Sequence, residues 1–395
     1  MTARKIAIIA GEHSGDLLAA GLVRELNSRT EQPVALIGVG GPALQAQGLN
    51  SFFDFSELSL MGFTAVLSKL PKLIWRIHQT ARAIIDAKPD CLIIVDSPDF
   101  THRVARKVKR ALPEIKIINY VCPSVWAWKP QRALAMRGYI EHVLSILPFE
   151  PEVVAKLGGP PLTYVGHRLV NDPSLLAARK AQLERRAPSD QVSGKPVCLL
   201  LPGSRRGEIT RLSADIGKSA RELIDILGDV HFVLPVASGR QQMVADAISG
   251  WDIDVELALG DEAKWDAFGK ADVAIAASGT VLLELSLAGV PAISLYRLDF
   301  IASFLLRFVF IWSASLPNLI ADRVVIQEFY QKDIRPARIA RLARQLIADP
   351  LTRRAVLADH DRVYQRMVVD RPPEENAADV VLNLISGVPT NRTVK

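Results

Sequence analysis

The stretch "IAIIAGEHSGDLLAAGL" (residues 6–22) runs from apolar residues to a glycine, through Glu12, His13, Ser14, Gly15 and Asp16, and into a segment with helical spacing. A short apolar run, a polar loop and a helix in that order open a parallel α/β unit, whose strands are buried on both faces. The loop has the outline of a nucleotide-binding turn. It carries too many acids to cradle a phosphate, because such turns work by presenting backbone N–H groups and positive charge.

The same pattern recurs outward from this stretch. "VALIGVG" (34–40), "CLIIVD" (91–96), "KIINYV" (116–121), "HVLSIL" (142–147) and "LTYVG" (162–166) are strand-like runs separated by helix-length spacers such as 17–29 and 72–87. A charged, then Pro/Ser/Gly-bearing stretch, "ARKAQLERRAPSDQVSGKP" (178–196), reads as a helix end and linker. Beyond it the pattern restarts with "VCLLLPG" (197–203), "HFVLPV" (231–236), "VELAL" (255–259), "VAIAAS" (273–278) and "AISLY" (292–296), and the chain closes with helical pattern over 335–386. We therefore expect an α/β protein of two Rossmann-like, doubly wound domains facing a cleft. The first covers 1–185 and the second 190–345. Ligands of open α/β sheets sit beyond the carboxyl ends of the strands, and the motifs fall there.

Composition narrows the class. The chain has 395 residues, 49% of them apolar, and a net charge of +6; its mean hydropathy is +0.18 and its pI about 9.2. A greasy but basic chain suits either an anionic membrane surface and acidic ligands or a large core with solvated lysines. Cys91, Cys122 and Cys198 lie far apart, so neither a disulfide framework nor a zinc site is expected, in keeping with a reducing cytosol. The five apolar residues after "MTARK" are too few for a secretory signal. The longest greasy run, "FIASFLLRFVFIWSASL" (300–316), is interrupted by Arg307 and falls short of the roughly 20 residues of a spanning helix. There is no GxxxxGK[ST] and no GxGxxG, and isolated histidines lack metal-ligand spacing, so ATP hydrolysis, dinucleotide redox and metal chemistry are not indicated.

Five segments carry candidate chemistry. In "LLLPGSRRGEI" (199–209) a strand ends in Gly203 and Ser204, with Arg205 at a helix start, an arrangement that suits phosphate through free N–H groups and a guanidinium more than an ordinary turn with two solvated arginines. In "AIAASGTVLLEL" (274–285) Ser278, Gly279 and Thr280 form a second such loop, and Glu284 stands one turn on from Thr280, placed to accept hydrogen bonds from a ribose diol. Two phosphate-type loops in one domain suggest a nucleoside diphosphate. In "IIVDSPDFTHR" (93–103) Asp96 and Asp99 follow a buried strand. Asp96 serves equally as a turn residue, while Asp99, after Pro98, projects outward as the favoured general base. In "YVCPSVWAWKPQR" (120–132) Trp126 and Trp128 suit either core packing or a sugar or lipid platform, with Lys129 and Arg132 close by. In "LSLMGFTAVLSKLPKLIWRIHQTAR" (58–82) Met61, Phe63, Leu70, Leu73 and Trp75 are interleaved with Lys69, Lys72 and Arg76. That pattern fits a helix lying in a membrane interface or a sheet-covering helix with solvated cations.

The ordered set "AGEHSGD", "MGF", "DSPDF", "PSVWAW", "LPFE", "VGH", "LLPGSR", "ASGT…LE" and "SLPNLIA" resembles the lipid-A-disaccharide synthases from about residue 5 to 385. The resemblance implies a type-B glycosyltransferase fold, whose closing helices, here at about 350–386, pack back on the first domain. It implies transfer of 2,3-diacylglucosamine from UDP-2,3-diacylglucosamine to 2,3-diacylglucosamine 1-phosphate, with inversion, forming a β(1→6) disaccharide 1-phosphate and UDP. No metal or cofactor and no nucleic-acid partner is implied, and the location is the cytoplasmic face of the inner membrane. By the same resemblance, Asp99 is the candidate base and Asp90 of "KPD" a further catalytic position. Arg205 with Ser204 and Gly203, then Ser278, Gly279, Thr280 and Glu284, hold UDP. Asn318 and Gln327 lie near the donor. Glu12, Ser14 and Asp16 match the first loop, whose acids would bond sugar hydroxyls. His13 stands where the family commonly has Ala or Thr and is a second candidate base. Thr101 replaces an Asn, Ala19 a Gly, Cys122 a Ser, and Asp322 the Gly before Arg323. Another UDP-sugar enzyme, an epimerase or a peptidoglycan GlcNAc-transferase, and a non-catalytic nucleotide-sugar or lipid binder are the competing readings.

Overall fold

The computed structural model describes residues 4–58, 63–186, 192, 194–297 and 311–386, with the side chains of 63–69 outside the description. Met61, the side chains of Phe63 and Lys69, and most of the 300–316 run therefore lie outside the described residues. The chain forms two compact units. One holds the described residues up to Arg168 together with those from Val369 onward; the other is Leu169–Val368.

The first unit is a six-stranded parallel sheet of β1 (Lys5–Ala10), β2 (Ala35–Val39), β3 (Cys91–Val95), β4 (Lys116–Tyr120), β5 (His142–Ser145) and β6 (Leu162–Tyr164). Their order is β2-β1-β3-β4-β5-β6. Alternating side chains feed two cores. Ile6, Ile8, Ile93 and Val95 pack with Leu18, Leu22, Val380 and Val381 from helices His13–Arg29 and Pro373–Ser386. Ala7, Ile9, Leu92 and Ile94 pack with Ile77, Ile84, Phe100 and Val104 from helices Phe63–Ala87 and Pro98–Ala111. Both faces are thus covered, which is why these strands read as unbroken apolar runs.

The second unit repeats the plan with β7 (Val197–Leu201), β8 (His231–Val236), β9 (Val255–Leu259), β10 (Val273–Ala277), β11 (Ala292–Tyr296) and β12 (Gln327–Tyr330), in the order β12-β11-β10-β7-β8-β9. Every run quoted above forms a strand. The edge strand β12 has no such signature, because only Phe329 of its four residues is buried.

The unit boundary falls earlier than the linker reading expects. Helix Pro173–Arg186 is part of the second unit: Gln182 Nε2 donates to the carbonyls of Phe268 and Ala271, both at 2.7 Å, and Arg179 donates to that of Leu287 at 3.0 Å. The closing helices divide. Pro350–Met367 stays in the second unit, where His360 Nδ1 and Ser286 Oγ share a hydrogen bond of 2.8 Å. Pro373–Ser386 completes the first unit, and Asn376 Nδ2 donates to the Val165 carbonyl at 3.0 Å. Asp322 occupies the left-handed C-cap of helix Leu316–Ala321, a conformation that Asp tolerates better than most residues.

In each sheet the winding reverses between the first strand and its later neighbour, β1/β3 in one unit and β7/β10 in the other. The carboxyl ends of those pairs are where open α/β sheets bind ligands. At the opposite, amino-terminal ends an identical clamp recurs. Asp90 Oδ2 accepts from the Lys5 N–H at 2.7 Å while the Asp90 N–H donates to the Lys5 carbonyl. Asp272 Oδ2 accepts from the Val197 N–H at 2.8 Å while the Asp272 N–H donates to the Val197 carbonyl. The catalytic position expected of Asp90 is therefore corrected. Its carboxylate ties the first residue of β1 to β3, at the sheet edge remote from the loops that could meet a substrate.

Candidate active site

In the second unit the loops after β7 and β10 enclose a cavity of about 410 Å³. Gly203, Ser204, Arg205, Ser278, Gly279, Thr280 and Glu284, all singled out in the sequence, line it. Gly203 has φ +109°, and a Cβ there would lie 2.6 Å from Glu208 Oε2, so only glycine fits. Glu208 in turn accepts from the N–H groups of Ser204 and Arg205 and pairs with the Arg205 guanidinium at 3.3 Å. This reciprocal cap holds Arg205 at the start of helix Arg206–Leu227 with its side chain largely exposed. Glu284 is not free for a diol: its Oε2 lies 2.6 Å from Lys264 Nζ, and both side chains are mostly covered. Lys264, Arg240, Asp261 and Glu208 complete the charged part of the lining and were missed. Lys264 sits in the helix that directly follows β9, the same strand-end position that marks the other loops.

Asn318 and Gln327 do not line this cavity. Asn318 is fully buried, donates to the Ile326 carbonyl at 2.9 Å and accepts from the N–H groups of Val325 and Ile326 at 2.8 Å. Its amide is spent holding the chain into β12, and Gln327 opens that edge strand with its side chain exposed. Asn318 is thus structural in place of the expected donor contact, and Gln327 stands outside this cavity.

In the first unit the loops after β1 and β3 come into contact. Asp96 and Ser97 are consecutive left-handed residues, at φ +58° and +43°, a conformation that costs non-glycine residues roughly 1–2 kcal/mol each. Thr101 Oγ1 holds the turn by donating to the carbonyls of Asp96, at 2.8 Å, and Ser97, at 3.1 Å. A Cβ on Gly11 would lie 2.2 Å from Ser97 Oγ, so the first loop reaches the turn only because residue 11 is glycine. Beyond the turn Asp99 projects into solvent, its side chain 78% exposed, with Arg132 Nη2 at 3.2 Å. Asp96 is more covered; burial raises its carboxyl above the usual range, against hydrogen bonds from the Ser97 N–H and the Ser14 hydroxyl. Glu12, His13 and Ser14 are exposed at the head of helix His13–Arg29.

Asp16 corrects the reading of that loop. It is fully buried, and its carboxylate accepts from the N–H groups of Gly41 and Ala43, both at 2.8 Å, and of Leu44 at 3.2 Å. It caps the short helix Pro42–Gln45 and has no oxygen left for a sugar. Trp126 is also committed internally. Its Nε1–H donates to Glu150 Oε1 at 3.0 Å, and its ring meets Phe149 edge-on. Trp128 is half-buried, with Lys129 Nζ 5.1 Å from its ring centroid. Glu150 is fully enclosed, bonded by Ser145, Trp126 and the Leu147 backbone, and burial pushes its carboxyl up to about 7.

On helix Phe63–Ala87, Leu70, Ile74 and Trp75 are exposed, as is Lys72. Leu73 packs on the core, and the Arg76 guanidinium is held by Glu57 at 2.9 Å and stacked 4.3 Å from the Phe53 ring centroid. Leu73 and Arg76 thus face inward and are corrected as surface contacts. No described helix is long and apolar enough to cross a membrane. Among the described residues no group of three His, Cys, Asp or Glu side chains could hold a metal ion.

Two parallel, switch-point sheets with phosphate-type loops define the class as a type-B glycosyltransferase fold. Solved structures share it over nearly their whole length. The UDP-GlcNAc 2-epimerase of Neisseria meningitidis bound to UDP-GlcNAc superposes with TM-score 0.56 at 14% identity, covering 97% of this chain and 100% of that one. MurG of Acinetobacter baumannii superposes with TM-score 0.58 at 14% identity, covering 98% and 100%. The lipid-A-disaccharide synthetase family profile matches residues 6–378. The lipid-A-disaccharide synthases of Rhodopseudomonas palustris strain HaA2 and Nitrobacter hamburgensis are 43% and 41% identical, each over 96% or more of both chains. The chain belongs to the lipid-A-disaccharide synthase family, glycosyltransferases of lipid A biosynthesis.

Two outcomes follow from this geometry. Gly11→Ala should displace the Asp96–Ser97 turn and lower turnover at least ten-fold with a small change in the unfolding midpoint; unchanged turnover would separate the turn from activity. For Glu150, the folded carboxyl titrates above its unfolded value, so the stability it contributes is complete at low pH and is lost as pH rises through about 7. The unfolding midpoint of the wild type relative to Glu150→Gln should fall between about pH 4.5 and 7, and a flat difference would contradict the buried neutral acid.

Proposed function

We propose that the chain transfers 2,3-diacylglucosamine from UDP-2,3-diacylglucosamine to 2,3-diacylglucosamine 1-phosphate, with inversion, to give the β(1→6) disaccharide 1-phosphate and UDP. The observation that carries the reading is the 410 Å³ cavity, where both phosphate-type loops converge in one unit. It is large enough for a nucleotide.

In this mechanism Asp99 removes the proton of the acceptor 6-hydroxyl as its oxygen attacks the anomeric carbon. Exposure leaves Asp99 reachable, and Arg132 at 3.2 Å orients it. The bond to the UDP oxygen breaks as the new bond forms, on the opposite face of the sugar. Arg205 meets the charge growing on the β-phosphate, and Ser278 and Thr280 add hydroxyl and N–H donors. Lys264 pairs with Glu284 at 2.6 Å, and a diphosphate bound beside them would compete for that ammonium and release the carboxylate toward the ribose. His13 is exposed on the first loop and is the second candidate base.

Asp99→Ala should lower kcat by 10²–10⁴-fold with donor KM little changed, a span typical of a general base. Arg205→Ala should raise the donor KM or slow UDP departure at least ten-fold. Mass spectrometry of the disaccharide product checks both, and near-normal turnover in Asp99→Ala refutes the assignment. We further place the protein on the cytoplasmic face of the inner membrane, through exposed Leu70, Ile74 and Trp75 beside Lys72. Co-sedimentation with anionic vesicles should drop in an Ile74→Glu, Trp75→Glu variant; equal pelleting would remove the contact.

A further inference from the structure

A second cavity, of about 220 Å³, lies in the first unit beyond the β3 turn. Helix Pro98–Ala111 supplies Asp99, His102, Arg103 and Arg106, spaced i, i+3, i+4 and i+7 on one face. Arg132 and Tyr139 line the other side. Three guanidiniums thus share a small space with a single carboxylate, and that carboxylate is already paired with Arg132. Arg103 is exposed and has no ionic or hydrogen-bond partner among the described residues. Arg106 has no carboxylate, only the Tyr139 hydroxyl at 3.3 Å and the Tyr139 ring beneath it. Placing like charges together without counter-ions is costly unless a ligand supplies the missing charge.

The hydrogen-bond network ends on a donor with nothing to receive it. A guanidinium only donates, so the Tyr139 oxygen accepts from Arg106. Its own proton then goes to His102 Nδ1, 2.9 Å away. His102 is 7% exposed, and burial, reinforced by Arg106 and Arg132, keeps its ring neutral, with a titration point near 4. Assigned by this network, the remaining ring proton sits on Nε2, which is buried with no partner. The cavity therefore carries two cations with no carboxylate of their own, a set that suits the oxygens of a doubly charged anion.

We propose that this cavity binds the phosphate monoester of the acceptor sugar, with Arg103 and Arg106 as its charge partners. The proposal rests on the acceptor named above and gives its phosphate a place next to Asp99. Anchoring the phosphate would hold the attacking hydroxyl beside its base, which converts binding energy into orientation. It also distinguishes a phosphorylated acceptor from a neutral sugar, because a bound neutral sugar would leave both guanidiniums uncompensated.

The test titrates the full-length protein with N-acetylglucosamine 1-phosphate, N-acetylglucosamine and inorganic phosphate, read by phosphorus or proton NMR. The sugar phosphate should bind the wild type at least ten-fold more tightly than either fragment. Arg103→Gln with Arg106→Gln should weaken it at least ten-fold at an unchanged unfolding midpoint. In turnover assays the same variant should raise the acceptor KM at least ten-fold and leave the donor KM unaltered. Equal affinity of wild type and variant overturns the subsite, as does inorganic phosphate binding as tightly as the sugar phosphate. Should the double variant fail to fold, Arg103→Gln alone carries the comparison, since that side chain is exposed and unpartnered. A wild type that binds the sugar phosphate through these arginines yet makes no disaccharide would defeat the proposed reaction and leave the subsite standing.

Discussion

Parallel pairing of β1 with β3, and of β7 with β10, is the constraint from which the chemistry of this chain follows. A strand that pairs with its immediate successor on one side and a later strand on the other must leave its two following loops diverging. The first-loop residues, the proposed base and both phosphate-type motifs sit in those four loops or at the head of the helix that leaves one of them. The first unit uses Gly11–Ser14 and Asp96–Asp99; the second uses Pro202–Arg205 and Ser278–Thr280. The amino-terminal ends of the same strand pairs are closed by Asp90 and Asp272, whose carboxylates and N–H groups complete the ladder at its first residue. One pair of strands thus offers a sealed end and an open end, and an aspartate means something different at each.

That contrast explains which parts of the protein could be read from its residues. The strands were legible because burial on both faces demands unbroken apolar runs, and β12 was not because an edge strand escapes that demand. The phosphate-type loops were legible because glycine followed by hydroxyl or arginine at a strand end has few other uses. Carboxylates were the weak point. Asp16, Asp90 and Asp99 look alike in a sequence, yet Asp16 caps a distant helix, Asp90 ties two strands and Asp99 projects beside the Arg132 guanidinium. Their difference lies in which backbone N–H groups reach them, and those groups belong to residues 25 to 85 positions away. Arg76 illustrates the same limit: its helical position suits a membrane face, but Glu57 and Phe53 draw it inward.

The arginines of helix Pro98–Ala111 were hidden for the opposite reason. Basic residues on an amphipathic helix are ordinary, and Arg103 and Arg106 gain meaning only when Tyr139 and Arg132 close the space above them. Thr101 was likewise recorded as a departure from a family pattern; its hydroxyl turns out to brace the left-handed Asp96–Ser97 turn.

Helix Pro373–Ser386 has one more consequence, for synthesis on the ribosome. The nascent chain makes all six strands of its first sheet early, yet Val380 and Val381, which fill one of that sheet's two cores, are translated only after the whole of the other unit. Roughly 200 residues of the other unit intervene, on the order of 10–40 s of elongation. Throughout that interval Ile6, Ile8 and Ile93 wait beneath an incomplete cover, while the later unit can finish first. The second core of the amino-terminal sheet therefore closes only after the whole of the later unit has been made.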